Sequence, residues 1–250
     1  MTASQPGRIW GLVARQAASR GGRVAAADAC AAVVAAVGVS GGWLSAATGK
    51  EAGYLMCVTD VVSEHLAELQ LTLGEGPDLD AAASGGPALA SDLSEMATAR
   101  RWPAFAPAAS QAGAGAIFAF PLQIGAIRAG VMGLYRERPG PLSASGLGDA
   151  LLFADTATLL LLDSQDQADS PAAGPGPSGQ IPEVALHRAE IDQATGMLTE
   201  QLGVSIADAF IRLRAYAYAH DQRLADVARD IVARRLRLRP DPGPSRGGQA

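Results

Sequence analysis

Aromatic side chains make up only 5% of this 250-residue sequence, and cysteine appears twice, histidine three times and lysine once. Each scarcity removes a class of explanation. Cys30 and Cys57 lie in apolar segments without metal-ligand spacing, so both are read as reduced, buried core residues. His65, His187 and His220 have no carboxylate or thiol at ligand spacing, so no metal site is expected. No Ser-His-Asp order, phosphate-cradling loop or supported carboxylate pair occurs, and the chain is read as a non-enzyme with no catalytic residue. Glu75, Asp78 and Asp80 are close enough to suggest acid/base or cation chemistry but are read as solvated loop carboxylates. The start MTASQPGR has no basic region followed by an apolar run, so no signal peptide is expected. The apolar stretch from Val24 to Val39 is mostly Ala and contains Asp28, whose insertion at mid-membrane costs about 3 kcal/mol, so a buried amphipathic helix and no membrane span is expected. A cytoplasmic location follows from this reading.

What the chain has is alanine and arginine. Hydrophobic residues reach 48%, but few are large, so Trp43, Trp102 and Phe118 must fill much of any core. Charge is uneven. Residues 1–180 carry 10 basic and 16 acidic side chains, whereas residues 181–240 carry nine and eight. An acidic body repels polyanions, so nucleic-acid contact belongs to the C-terminal part, whose positive charge lies largely in Arg229, Arg234, Arg235, Arg237 and Arg239.

Read in order, residues 1–20 are a polar lead-in with a short helix over Ile9 to Ala18. A helix from Arg23 to Val37, with Val33, Val34 and Val37 inward, ends at Gly38. Two strands, Trp43 to Ser45 and Tyr54 to Val58, form a hairpin across Gly49-Lys50-Glu51. Thr59-Asp60 caps a helix through Leu69, and Gly74, Gly76 and Pro77 force a turn. There follow a strand at Pro87 to Ala90, one helix in Arg101 to Gly113 opened by Trp102-Pro103, strands at Ala116 to Gln123 and Ile127 to Tyr135, and a helix from Leu147 to Leu162. In the last strand Ile127, Ala129, Val131, Gly133 and Tyr135 share a face. The expectation is an α+β domain, an antiparallel sheet with packed helices, spanning residues 21–163. The order, together with Gly74-Glu75-Gly76-Pro77, Trp102-Pro103, Phe120-Pro121-Leu122 and Gly130-Val131-Met132-Gly133-Leu134-Tyr135, resembles a GAF sensor domain. That resemblance implies an unidentified small-molecule effector and assigns it no residue. No other cofactor is expected.

Residues 164–182 are rich in Pro, Gly and Ser and read as a linker. Residues 183–240 show helical spacing three times: Ile191, Ala194, Leu198 and Leu202; Phe210, Leu213 and Ala217; Leu224, Val227, Ala228, Ile231 and Val232. Gly203 ends the first helix, Ser205 to Asp208 opens the second as a capping box, and Asp221 caps the third. A three-helix bundle follows, with residues 241–250 as a tail. The patterns Ile191-x-x-Ala194-x-Gly196, Ala209-Phe210-x-x-Leu213-Arg214-x-x-Ala217 and Leu224-x-Asp226-Val227-Ala228-x-x-Ile231-Val232 resemble an ANTAR domain, the RNA-binding output module of bacterial antitermination regulators. The resemblance implies a dimer that holds a two-hairpin leader RNA and prevents a competing terminator from forming. Many members carry Lys where Thr195 stands, so one cation for phosphate contact is replaced.

Seven residues are assigned to RNA on this reading: Thr195, Gly196, Arg212, Arg214, Tyr216, His220 and Arg223. Gly196 costs about 1 kcal/mol against Ala inside a helix, so either a neighbouring helix or a nucleic-acid backbone approaches it. Arg212 and Arg214 flank the buried Leu213 and project to either side of it, and Arg223 stands near the start of the third helix. Their charges suit phosphates and unpaired loop bases, which is where sequence-specific RNA recognition concentrates. Tyr216 and Tyr218 offer stacking surfaces near His220. The alternative is a small-molecule-sensing or protein-interaction module whose C-terminal bundle only dimerises.

Overall fold

The structure is a computed structural model and describes residues 5–48, 51–168, 183–220 and 222–238. It divides into two compact units, Met1–Ala185 and Leu186–Ala250.

The first unit is built on a five-stranded antiparallel sheet in the order β2-β1-β5-β4-β3. Its strands are β1 (Gly41–Thr48), β2 (Glu51–Val58), β3 (Ala88–Ala90), β4 (Ala116–Ile124) and β5 (Ile127–Arg136). Both faces are covered, because successive residues point to opposite sides and nearly all are apolar. On β4, Ile117 faces one core while Phe118 and Phe120 face the other. The first face packs against α1 (Gln5–Arg20), α2 (Ala26–Val37) and α7 (Ala144–Ala168). The second receives α3 (Val61–Leu73), α4 (Pro77–Ser84) and α6 (Phe105–Gln111), around Trp43, Trp102 and Phe105. The expected antiparallel sheet with packed helices is what forms, and Trp43, Trp102 and Phe118 are all buried as the scarcity of large side chains required.

Local rules held at most helix ends. Gly38 and Gly74 close α2 and α3 in the left-handed conformation, and Asp60 caps α3 by accepting the Ser63 amide at 2.8 Å. The Asp60 carboxyl also accepts from the hydroxyls of Thr59, Ser63 and Tyr135. Burial alone would raise its pKa, but these bonds outweigh burial and hold it below the usual carboxylate range.

Several expectations need correction. The lead-in is the 16-residue helix α1, whose Ile9, Val13 and Ala17 enter the core. Arg8 and Gln5 bind Asp149 of α7, and Arg20 pairs with the buried Asp28 of α2 at 2.8 Å. The region after Met96 forms two short helices, α5 (Met96–Arg101) and α6, because Trp102 takes a non-helical conformation between them. Helix α7 runs on to Ala168, past the expected end at Leu162, since no Gly or Pro intervenes before Pro171. By length and composition α7 could cross a membrane, but its Ala150, Phe153, Ala157 and Leu161 are core residues. The strand face predicted for β5 is not separately apolar, because residues 130–135 are buried on both sides. Gly49 and Lys50 of the expected hairpin turn, and most of the linker, lie outside the described residues.

The carboxylates read as solvated are bound instead. Glu75 Oε1 accepts the amides of Ala104 and Phe105 at 2.6 and 2.8 Å, which satisfies the start of α6. Asp78 accepts the Trp43 indole N–H at 2.7 Å, and Asp80 accepts the Trp102 indole N–H at 3.1 Å and the Arg101 guanidinium Nε–H at 2.7 Å. Burial pushes the Asp78 carboxyl up to about 6 despite the Trp43 bond that favours its charge.

The second unit consists of α8 (Glu183–Leu202), α9 (Ile206–Ala219) and α10 (Leu224–Val232). Ala194, Leu198, Ala209, Leu213, Ala217, Leu224, Val227, Ala228 and Ile231 are buried, so the expected helical stripes form the bundle core. Gly203 ends α8 at φ 66°, and Ser205 caps α9 by accepting the Asp208 amide at 3.1 Å while its hydroxyl donates to the Asp208 carboxylate at 2.7 Å. Arg223 occupies the N-cap position of α10. Asp221, expected there, lies outside the described residues.

Candidate nucleic-acid interface

Helix α9 divides its surface by period. Ala209, Leu213 and Ala217 recur every four residues and face inward, so the turns between them present Ile211, Ala215 and Tyr218 to solvent. Arg212 and Arg214 stand at the edges of the buried stripe, each half-buried. The Arg214 guanidinium lies 5.7 Å from the Phe210 ring centroid, within cation–π range.

The helix ends in an aromatic pair. His220 stacks on Tyr216, four residues earlier, with ring centroids 3.9 Å apart and planes 17° apart. His220 Nδ1 lies 2.9 Å from the Tyr216 carbonyl, which also accepts the His220 amide at 3.2 Å. A carbonyl only accepts, so Nδ1 carries the hydrogen and Nε2 is the ring nitrogen left for other partners.

Beyond α10 the chain turns back. Arg234 adopts φ 57°, the left-handed region that non-glycine residues seldom occupy. The amides of Arg235 and Leu236 both reach the Asp230 carbonyl, and Gln201 Nε2 of α8 donates to the Leu238 carbonyl at 2.6 Å. The segment Leu236–Leu238 thereby walls an open groove of about 480 Å³ against α9. Leu202, Leu236 and Leu238 give it an apolar lining, Tyr216 and His220 an aromatic one, and Arg212 and Arg237 its positive charge. Within the unit Arg229 pairs with Glu190 at 3.3 Å and Asp226 at 2.9 Å, and Arg235 with Asp230 at 2.6 Å.

Of the seven residues assigned from sequence, the structure brings Arg212, Tyr216 and His220 together in this groove. Arg214 and Arg223 are not among its lining. Thr195 is 6% exposed, and its hydroxyl donates to the Ile191 carbonyl at 2.7 Å, so the assignment of Thr195 to RNA contact is corrected to a core position whose polar group the helix itself satisfies. Gly196 is exposed, and among the described residues nothing lies within 4 Å of where a Cβ would stand. The close approach of a neighbouring helix expected there is therefore absent within the described residues. Asp192 and Glu200, one turn to either side, make this face acidic.

Arg237 and Leu238 were missed as site residues. Their signal was the alternation Arg235-Leu236-Arg237-Leu238, a period of two after three segments of helical period, which marks an extended strand with one apolar and one basic face.

In comparisons with known proteins, no curated protein matches the chain. Solved structures similar to it include the GAF domain of a phosphoenolpyruvate-protein phosphotransferase from Acinetobacter, at 11% identity and TM-score 0.48, covering 68% of this chain and 100% of that one. The GAF domain of the corresponding Coxiella burnetii protein is 12% identical with TM-score 0.49, over 66% and 99% of the two chains. The GAF-B domain of DevS from Mycobacterium smegmatis is 18% identical with TM-score 0.41, over 56% and 92%. The segment that carries α8, α9 and α10 matches a family model: residues 181–232 bear the sequence signature of the ANTAR domain.

Proposed function

We propose that this protein is a cytoplasmic, signal-responsive transcription antitermination regulator that acts without catalysis. Its C-terminal unit binds a two-hairpin leader RNA and so keeps a competing terminator from forming. The N-terminal unit controls that binding in response to a small-molecule effector. The observation that carries the reading is the ANTAR match over residues 181–232, and the convergence of Arg212, Tyr216 and His220 on one groove supports it. An apolar, aromatic and cationic surface suits splayed loop bases and their phosphates. Titration of the full chain with a two-hairpin RNA tests it: affinity falls between about 50 and 200 mM salt if phosphates supply the binding. Absence of binding at low salt to the dimeric protein would overturn the reading.

The surroundings of Gly196 favour a second role for the bundle, pairing with another copy of the chain. The position is open, and the flanking Asp192 and Glu200 repel phosphate. If this face pairs, Gly196→Gln sediments at a lower mass than the parent. An unchanged mass removes α8 from the dimer contact.

A further inference from the structure

The two cysteines of the chain come from different elements of the first unit and meet in one core. Cys30 lies on the inner face of α2 and is 1% exposed, whereas Cys57 lies on β2 and is half-buried. Cys57 stands opposite Leu44 of β1, and Leu44 belongs to the same apolar core as Cys30, against which Cys57 packs. The side chains reach each other, since Cys30 and Cys57 are hydrogen-bonded thiol to thiol. We infer that Cys30 and Cys57 form a dithiol site that a peroxide converts to an intramolecular disulfide, tying α2 to β2. The inference goes beyond the RNA reading and does not depend on it.

Three features favour a disulfide. The first is placement. Strand β2 lies at one edge of the sheet, and its register with β1 slips between Leu44 and Ser45, so that Met56, next to Cys57, is passed over in the pairing. An irregularity on an edge strand gives the backbone room for the small shift that brings two touching sulfurs to covalent distance. The second is the setting. A disulfide is neutral and suits the apolar surroundings of Val33 and Leu44, whereas a soft metal ion would need both sulfurs as thiolates. The bond to Cys57, and after it burial, holds the Cys30 thiol well above its ordinary range, which opposes that charge. Among the described residues no group of three His, Cys, Asp or Glu side chains could hold a metal.

The third feature is unequal access, which sets the order of steps. Cys57 is the thiol that solvent reaches. Its sulfur attacks one peroxide oxygen, an S–O bond forms as the O–O bond breaks, and the other oxygen leaves with the Cys57 proton, as water when the oxidant is hydrogen peroxide. The Cys30 sulfur then attacks the Cys57 sulfur. The S–S bond forms as the S–O bond breaks, and the released hydroxide takes the Cys30 proton to leave as water. The two sulfurs lose two electrons in all, and the peroxide gains them. In a reducing compartment such a pair rests as thiols and links only under oxidation.

The test exposes the full chain, reduced and then freed of reductant, to hydrogen peroxide. The intact mass falls by two hydrogens, tryptic mapping without reductant recovers Cys30 joined to Cys57, and dithiothreitol reverses both changes. Cys30→Ala keeps the core apolar but removes the second thiol, so Cys57 accumulates as a sulfenic acid that dimedone traps. Cys57→Ala leaves Cys30 unmodified. If either variant fails to fold, the mass and the map of the parent decide alone. The inference falls if the parent keeps both thiols under peroxide, if Cys57 gains oxygen without linking to Cys30, or if the linkage joins two chains. Affinity for RNA enters none of these measurements, so the dithiol site and the RNA reading stand or fall separately.

Discussion

At the residue scale, the buried acid Asp78 sets a pH dependence of stability. Its folded pKa of about 6 lies above the unfolded value near 3.8, so the native state binds more protons between these values and stability falls as pH rises through that window. The separation corresponds to about 3 kcal/mol. Asp78→Asn should therefore gain up to about that much stability at pH above 7, and the gain should vanish near pH 4, as read by urea unfolding at both. A difference that does not vary with pH would show that the charge is not what destabilises the site. Nothing in the sequence marked Asp78 as buried, because its partner Trp43 is 35 residues away and a turn rich in Gly and Pro reads as exposed. Thr195 escaped for another reason. The resemblance, with Lys at this position in many members, pointed to an RNA contact, but a threonine in a helix can satisfy its own hydroxyl on the carbonyl four residues back.

At the scale of elements, β5 and α8 show one substitution acting with opposite sign. Gly133 of β5 stands directly opposite Trp43 of β1, and a Cβ there would come within 2.1 Å of the indole ring, which is fixed in the core. Gly133→Ala should cost about 3 kcal/mol or more through overpacking. Gly196 in α8 has open space, so Gly196→Ala should stabilise the C-terminal unit by up to about 1 kcal/mol of helix propensity. Separate thermal melts of the two variants check the signs, and a destabilising Gly196→Ala would reveal a close contact there. The helix ends were the most legible part of the fold. Asp60, Ser205, Gly38 and Gly203 act through bonds to residues within a few positions, and such rules are written in local sequence, whereas α3 runs past its expected end at Leu69 to Leu73 before Gly74 closes it. What sequence could not disclose was docking. Helix α1 owes its length and place to a core assembled from α2 and α7 and to Asp149, and its contacts with α7 are more than 100 residues distant.

At the scale of the whole molecule, charge confines any polyanion to the C-terminal part. Residues 1–180 hold an excess of acid, and two of the C-terminal arginines, Arg229 and Arg235, are spent on ion pairs within their own unit. With nine basic against eight acidic side chains in residues 181–240, the slope of log affinity against log salt should be shallow, about −2 to −3 for three or four contacts. A slope near −8 would place the interface on a far more basic surface than this chain presents. The candidate site was legible in part for the same reason: the ANTAR-like pattern located α9 and three of its groove residues, while the arm that completes the groove follows a turn no pattern announces. That turn has a mechanical consequence. The outer wall is tied to α10 through the Asp230 carbonyl and carboxylate, and its far end to α8 by one amide from Gln201, so losing that amide should loosen the arm's end while the three helices stay folded. Gln201→Ala should speed hydrogen exchange at Leu236, Arg237 and Leu238 without lowering the unfolding midpoint of the helices. The catch on the groove's outer wall is thus a single side chain, which one codon can alter.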